Sequence, residues 1–423
     1  IVKEEIIVLD ALPDEDINIT FWHIYGQGKS ALLDALILEF EEMYPNIIVE
    51  SISQGSYTDL KSKTISSISA GNTPDLLVGY PDHFAEYLNG NAIIPLDLFV
   101  ESDTWGVDLT DFIDSYVAEN QQYADGMMYS MPYSKSTEML VYNKTIFDAN
   151  SITLPTDRAV TWEELEVYAD TIVGSGDNQC EYLINYDSSA NLFINASRQW
   201  DAGYTNLAGE VLIDNDNTLT MLNYLSGLFD DKTLALPLAW DQAYGSANFL
   251  AGDVCMTVGS TAGIAYNVPL SGEFELGIAA IPQHEGGVDS VMQQGPNIAI
   301  MSDTSDAERL ASWLLIKHLT SAEATAQWAI DTGYLPVRYS AYDSVLFQSF
   351  LDTENYDQDY KYESMTANAA YDQVDFFQFD PAFANRVTSS DVRDEAGLAL
   401  ESIFAKTRTV AEAIQNMIDQ LVW

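Results

Sequence analysis

Positive charge is scarce in this chain. Seventeen lysines and arginines stand against 65 aspartates and glutamates, a formal net charge of −48 over 423 residues. With no cationic excess to neutralise phosphates, nucleic acid is an implausible partner, and an anionic membrane surface would repel the chain. Cysteine is nearly absent. Cys180 and Cys255 form no CxxC pair, and the four histidines (His23, His83, His284, His318) are scattered, so no zinc signature or other metal site is expected. In an exported protein two cysteines can make one disulfide, but two buried thiols fit the sequence as well. No apolar run approaches the roughly 20 residues that span a bilayer. The opening Ile-Val-Lys-Glu-Glu lacks the basic and apolar regions of a signal peptide, as expected of a mature or trimmed form. Enzyme signatures are missing too: no GxSxG elbow, GxxxxGK[ST] loop, HExxH or EF-hand spacing is present. Glycoside hydrolysis needs paired carboxylates, but among 65 acids chance pairs are everywhere and single out nothing. No cofactor is implied.

What is present is material for cores. Hydrophobic residues make up 47 % of the chain and aromatics 12 %, and 423 residues suit two or three domains. The carboxylates read as a strongly solvated surface, and scarce lysine with abundant aspartate would also fit a salt-adapted source. Residues 1–16 carry two charge clusters and read as an arm or tether. Ile17–Trp22 then reads as a strand, followed by the turn Tyr25-Gly26-Gln27-Gly28. Leu32, Leu33, Leu36, Ile37, Phe40 and Met43 recur at three and four residues, one face of a helix that Pro45 ends. Strands are expected again at Ile47–Ile52 and Asp75–Tyr80, with a helix between them. This β-α-β-α-β order predicts parallel strands with right-handed crossovers. Capping boxes are expected at Thr161/Glu164, Ser305/Glu308, Thr320/Glu323 and Thr409/Glu412. The last opens a C-terminal helix with the stripe Val410, Ile414, Met417, Ile418 and Leu421.

The aromatic residues point to binding. Trp22, Tyr25, Tyr57, Tyr80, Trp200, Trp240, Tyr244 and Tyr334 lie beside polar, turn-prone residues. Such rings stack on the C–H faces of sugars and polyols while polar tips meet hydroxyls. Partial burial explains any one of them equally well.

Four distant stretches resemble the framework of the extracellular solute-binding proteins of ABC importers, the carbohydrate and glycerol-phosphate binders (family 1). They are Ile19–Gly26 (ITFWHIYG), Gly71–Tyr80 (GNTPDLLVGY), Phe249–Gly263 (FLAGDVCMTVGSTAG) and Asp331–Val337 (DTGYLPV). From Ile17 onward the order of motifs is similar to the glycerol-3-phosphate-binding (Ugp-type) members. Gly55-Ser56-Tyr57 resembles a glycine-x-tyrosine after the second strand. Pro132–Thr137, leading into Leu140–Lys144, resembles the interlobe segment and carries a ligand serine onto Ser136. Gly259-Ser260-Thr261 resembles a second hydroxyl loop, and Gln294-Gly295 a glycine whose amide meets phosphate. Gly333–Pro336 resembles a segment whose tyrosine, here Tyr334, reaches the ligand, and Arg393 falls where the family keeps a phosphate-binding arginine. The pattern departs at Tyr80-Pro81-Asp82, where Pro81 stands in for a glutamate that binds glycerol hydroxyls. Either Asp82 replaces it after a one-residue shift, or the pocket is opened for a larger head group such as glycerophosphocholine.

The resemblance implies an α/β fold of two hinged lobes (periplasmic-binding-protein-like, type II) with the ligand cleft between them. By analogy residues 17–132 and 276–321 form one lobe, and 137–275 and 322–423 the other. The ligand-binding residues it implies are Tyr57, Asp82, Ser136, Trp200, Ser260, Gly295, Tyr334 and Arg393. The physics agrees, since a phosphate wants charge-assisted donors and one arginine fork with hydroxyls and amides supplies them. A surface ion pair of Arg393 with Asp391, Asp394 or Glu395 competes with that assignment, as do local backbone bonds for Ser136 and Ser260. The implied function is capture of glycerol 3-phosphate or a glycerophosphodiester and delivery to a membrane permease, without chemistry. Binding of a neutral sugar or oligosaccharide is the alternative, and a secreted glycosidase the distant one. A monomer is expected, extracellular or periplasmic, lipid-anchored or free.

Overall fold

The computed structural model describes residues 6–173, 179–270, 272–352 and 360–421. The chain forms two compact units. Unit 1 comprises residues 1–135, 294–349 and 381–385, and unit 2 residues 136–293, 350–380 and 386–423.

Unit 1 is built on the expected alternation. Strand β1 (Ile17–His23) leads into helix α1 (Gln27–Met43), β2 (Ile47–Ser53), helix α2 (Tyr57–Ala70), β3 (Leu76–Gly79) and helix α3 (Pro81–Asn89). β1 pairs in parallel with β2 on one side and β3 on the other. The sheet is completed by β11 (Asn297–Ile300), antiparallel to β3, and β4 (Met131–Pro132), antiparallel to β11. All four residues of β3 are buried, as a central strand covered on both faces requires. On α1, Leu33, Leu36, Ile37 and Phe40 turn into the core. Met43, placed on that face by the spacing, is the last residue of the helix and is 54 % exposed. The expected turn is also shorter: α1 starts at Gln27, so Gly28 is helical. Residues 6–16 contain no helix or strand, but Leu9 accepts a 2.8 Å bond from the Trp105 indole and Pro13 one of 2.8 Å from Asn46.

Unit 2 carries a second five-stranded sheet. β5 (Glu138–Asn143), β6 (Tyr182–Tyr186), β7 (Leu234–Ala235), β8 (Val254–Ser260) and β9 (Leu276–Ala279) are ordered β7-β6-β8-β5-β9. β6 is parallel to β7 and β8, whereas β5 is antiparallel to β8 and β9. A small parallel pair, β10 (Val291–Met292) with β12 (Phe377–Gln378), belongs to the same unit. Cys180 and Cys255 are joined in a disulfide, so the residue two before β6 is cross-linked to the second residue of β8.

The units divide differently from the sequence-based expectation. The first crossing, Lys135 to Ser136, falls where the interlobe motif lies. The second falls at Gln293/Gln294, because β9 pairs with β5 and keeps 276–279 in unit 2. The Ala322–Thr332 helix packs on α1 and so remains in unit 1. Capping boxes form at Thr161/Glu164 and Ser305/Glu308, and Thr409 and Glu412 exchange backbone-to-side-chain bonds of 2.8 and 3.3 Å. Thr320/Glu323 does not form one. Thr320 closes the preceding helix Asp306–Leu319, its hydroxyl donating to the Ile316 carbonyl, and Ser321 caps the next helix instead. Two boxes with aspartate at the third position, Ser56/Asp59 and Thr388/Asp391, escaped the pattern of glutamate three residues on.

Candidate functional site

In unit 2 the expected serines and arginine gather at one end of the sheet. β6 and β8 run parallel and end there at Tyr186 and Ser260, and antiparallel β5 begins there at Glu138, paired with Ser260. The carboxyl ends of parallel strands are where open α/β sheets present ligand-binding loops. One residue beyond that pair, the Thr261 amide donates to the Thr137 carbonyl at 2.9 Å and the Thr137 amide to Thr261 Oγ1 at 3.4 Å. This lacing brings Ser136 and Ser260 to the same edge. The Ser189–Gln199 helix follows β6, and the Ser389–Phe404 helix packs along it. Gly397 permits the close approach, since a Cβ there would lie 3.0 Å from Ser189 Oγ. Arg393 is thereby set against Asn191.

The Arg393 guanidinium is half-buried. It donates through Nη2 to Asn191 Oδ1 and approaches Met292 Sδ at 3.8 Å through Nη1. Among the described residues it enters no ion pair. Of the three carboxylates that competed for it, Asp391 is occupied capping its own helix. Behind Asn191 lies Glu138, 1 % exposed, which accepts from Asn191 Nδ2 at 2.7 Å, Asn195 Nδ2 at 2.7 Å and the Tyr186 hydroxyl at 2.6 Å. Burial pushes the Glu138 carboxyl up to about 7. The Tyr186 and Asn191 bonds and the Arg393 charge oppose that rise, and Asp187 adds to it. A second guanidinium stands nearby. Arg198 donates to the Phe379 carbonyl at 2.7 Å and the Gln378 carbonyl at 3.3 Å, and burial pulls it below its ordinary value. The Asp380 carboxylate opposes that shift, while Arg393 adds to it.

Unit 1 gathers rings instead. Tyr57 and Tyr80 lie 4.3 Å apart, Tyr25 and Tyr133 both pack on Trp328 (5.0 and 5.4 Å), and Trp328 stacks near-parallel with Tyr334. The Lys29 ammonium sits 4.7 Å over the Tyr334 ring. Burial raises the Tyr25, Tyr57, Tyr133 and Tyr334 phenols, keeping them neutral hydrogen-bonding groups. Asp82 lies in the first turn of α3, 3.9 Å from His83, with Pro81 at the helix start. Gly295 has φ +90°, and a Cβ there would run into the Ser134 carbonyl, so backbone packing alone demands glycine.

Thus Tyr57, Asp82, Gly295 and Tyr334 belong to unit 1, and Ser136, Ser260, Trp200 and Arg393 to unit 2. Trp200 lies apart from the arginine group, its ring stacked on His284 at 3.8 Å and packed on Tyr224. Tyr244 is 68 % exposed and Trp240 packs on Tyr182. A cavity of about 760 Å³ in unit 1, lined by Leu88, Ile93, Pro95, Tyr123 and Tyr129 among others, includes none of the expected site residues. Sequence reasoning missed Glu138, Asn191, Asn195 and Arg198. Asn191 and Asn195 at a spacing of four were the available signal, since that spacing puts both amides on one helix face.

A two-unit α/β fold with polar groups collected at strand ends is compatible with a solute-binding protein. The chain belongs to the bacterial extracellular solute-binding protein family, whose model matches residues 35–359. It is therefore the solute-binding component of an ABC importer, and the proteins of this class bind small polar solutes and deliver them to a permease. Among curated proteins it is 24 % identical over 350 residues to the sn-glycerol-3-phosphate-binding periplasmic protein UgpB of Escherichia coli K12, covering 79 % of this chain and 77 % of that one. Among solved structures, UgpB of Mycobacterium tuberculosis in complex with glycerophosphocholine superposes with a TM-score of 0.78 at 22 % identity, covering 96 % and 97 % of the two chains. The substrate-binding protein Lmo0181 of Listeria monocytogenes, in complex with cycloalternan, gives 0.77 at 19 %, covering 96 % and 98 %.

Proposed function

We propose that the solute is a glycerophosphodiester, glycerophosphocholine being the representative case, or glycerol 3-phosphate. Its phosphate is held in unit 2 by Arg393 with the Ser136 and Ser260 hydroxyls. The observation that carries this reading is the Arg393 guanidinium, which takes part in no ion pair among the described residues and bonds to Asn191, whose amide in turn reaches Glu138, the strand partner of Ser260. In a chain with a net charge of −48, an arginine without a carboxylate partner is conspicuous. A charge-assisted bond to phosphate suits it. The diester is preferred over the free monoester because it carries less negative charge and, in glycerophosphocholine, a compensating cation. The neutral phenols of unit 1 (Tyr57, Tyr334, with Gly295 and Asp82 in the same unit) are a further candidate binding surface. The protein acts as a monomer on the outer face of the membrane and performs no chemistry on its solute.

The same ring group favours a second reading, a neutral oligosaccharide, for which stacked aromatic faces and hydroxyl acceptors suffice. Calorimetry on wild type and Arg393→Ala separates the two. Loss of a charged hydrogen-bonding partner costs roughly 1.5–3 kcal/mol, so glycerophosphocholine affinity should fall about 10- to 150-fold. Unchanged affinity for glycerophosphocholine, or tight binding of maltotriose that ignores the substitution, would overturn the phosphate assignment.

A further inference from the structure

We propose that Glu138 is a positioning residue for Arg393, fixing the guanidinium through the side chain of Asn191 in the orientation that meets an anionic group of the solute. The ligand-binding part of this inference rests on the function proposed above. Asn191 links the two charges with one amide: its Nδ2 donates to Glu138 Oε1 at 2.7 Å, and its Oδ1 accepts from Arg393 Nη2. A carboxylate only accepts and a guanidinium only donates, so the amide fits between them one way round. Reversed, it would set N–H against guanidinium N–H and carbonyl against carboxylate. Glu138 thus removes the freedom of the amide to flip, and the amide in turn offers Arg393 a carbonyl at a set place.

The carboxylate is held as firmly as what it holds. The backbone carbonyl of Glu138 accepts from Gln373 Nε2 at 2.7 Å, and its Oε2 takes both the Tyr186 hydroxyl and Asn195 Nδ2. Its three donors come from β6 and from the Ser189–Gln199 helix, and among the described residues none is a cation. The charged groups that act on it are Arg393, from the Ser389–Phe404 helix, and Asp187, just past β6. Asp187 is itself occupied by the Gly245 amide at 2.6 Å. A carboxylate buried among neutral donors adds nothing that an amide or an apolar side chain could not add to packing. Its particular contribution is negative charge directed along Asn191 toward Arg393. Burial raises the Glu138 carboxyl to about 7, so the arrangement responds to pH near neutrality.

The test uses Glu138→Gln, Asn191→Ala and Arg393→Lys in the full chain, with glycerophosphocholine as probe. Glu138→Gln and Asn191→Ala should each weaken binding about tenfold, the equivalent of one charge-assisted bond. A merely structural role could produce that loss, so a second readout is taken without ligand. The Arg393 side-chain Nε–H resonance, assigned by its disappearance in Arg393→Lys, should shift with pH near neutrality in wild type. In Glu138→Gln and Asn191→Ala it should move to a new position and lose that titration. A resonance that ignores both substitutions, or that never titrates in wild type, overturns the inference. If Glu138→Gln fails to fold, Asn191→Ala decides, since alanine is well tolerated inside a helix. If wild type binds no phosphate ester, the proposed solute is wrong, and the ligand-free resonance still decides whether Glu138 positions Arg393.

Discussion

Lys135→Met is the substitution whose cost can be worked most fully from the structure. Lys135 is the last residue of unit 1 before the first crossing, and it is completely buried. Its ammonium uses all three protons, on Glu119 Oε2 at 2.5 Å, the Gly295 carbonyl at 3.1 Å and Asn297 Oδ1 at 3.3 Å. Burial pulls its pKa down and Glu119 opposes that pull, so the charge survives only because its partner is in place. Methionine keeps the length and apolar stem but leaves Glu119 as a buried anion, with Asn297 Nδ2 at 2.9 Å. Removing one partner of a buried pair costs about 3–5 kcal/mol, and the abandoned Gly295 carbonyl adds roughly 1. The double variant Lys135→Met/Glu119→Gln carries no buried charge and should recover most of the loss. Urea unfolding followed by circular dichroism on the four members of this cycle measures the coupling. A single variant within about 1 kcal/mol of wild type, or a double variant no better than the single, would refute the reasoning.

Three further outcomes are expected. Gly295→Ala should lose at least about 2–3 kcal/mol, because φ +90° is strained for any side chain and the added carbon meets a backbone carbonyl; a mild effect in thermal unfolding would mean the Ser134 segment yields easily. Reducing Cys180–Cys255 frees a loop of sequence separation 75, which loop-closure entropy values at up to about 4.5 kcal/mol, so oxidised and reduced chains should differ clearly in urea midpoint. Glu138 is pushed up from 4.5 to about 7, so between those values the folded chain holds a proton that the unfolded chain releases. Its contribution is therefore greatest below pH 4.5 and falls by roughly 3 kcal/mol as pH rises to 7. Glu138→Gln should lack that fall in stability measured against wild type across the range, and parallel pH curves would contradict the shift.

The parallel half of unit 1 was legible because β1, α1, β2 and β3 each announce themselves locally, by apolar runs and three-and-four spacing. The antiparallel additions β11 and β4 were not, since they join that sheet from far along the chain and carry no period that names their partners. The second crossing was misplaced for the same reason: only the pairing of β9 with β5 assigns 276–279 to unit 2. Arg393, Ser136 and Ser260 could be picked out through motif resemblance, and the strand ends of unit 2 bring them together. Glu138 could not be picked out. Nothing in Thr137-Glu138-Met139 distinguishes it from 64 other carboxylates, and its role appears only when two asparagines from a helix some fifty residues later close over it. Gly295 shows the opposite case, where a glycine read as a phosphate contact has a sufficient reason in the packing of the Ser134 carbonyl.

The most direct test of the phosphate assignment is a crystal structure of the protein grown with glycerophosphocholine. The account predicts phosphate oxygens about 2.7–2.9 Å from the Arg393 guanidinium, with Ser136 and Ser260 Oγ donating to the same group and Asn191 still bridging to Glu138. A ligand whose phosphate lies elsewhere while Arg393 remains on Asn191 alone, or a site that accepts only a neutral sugar, would contradict it.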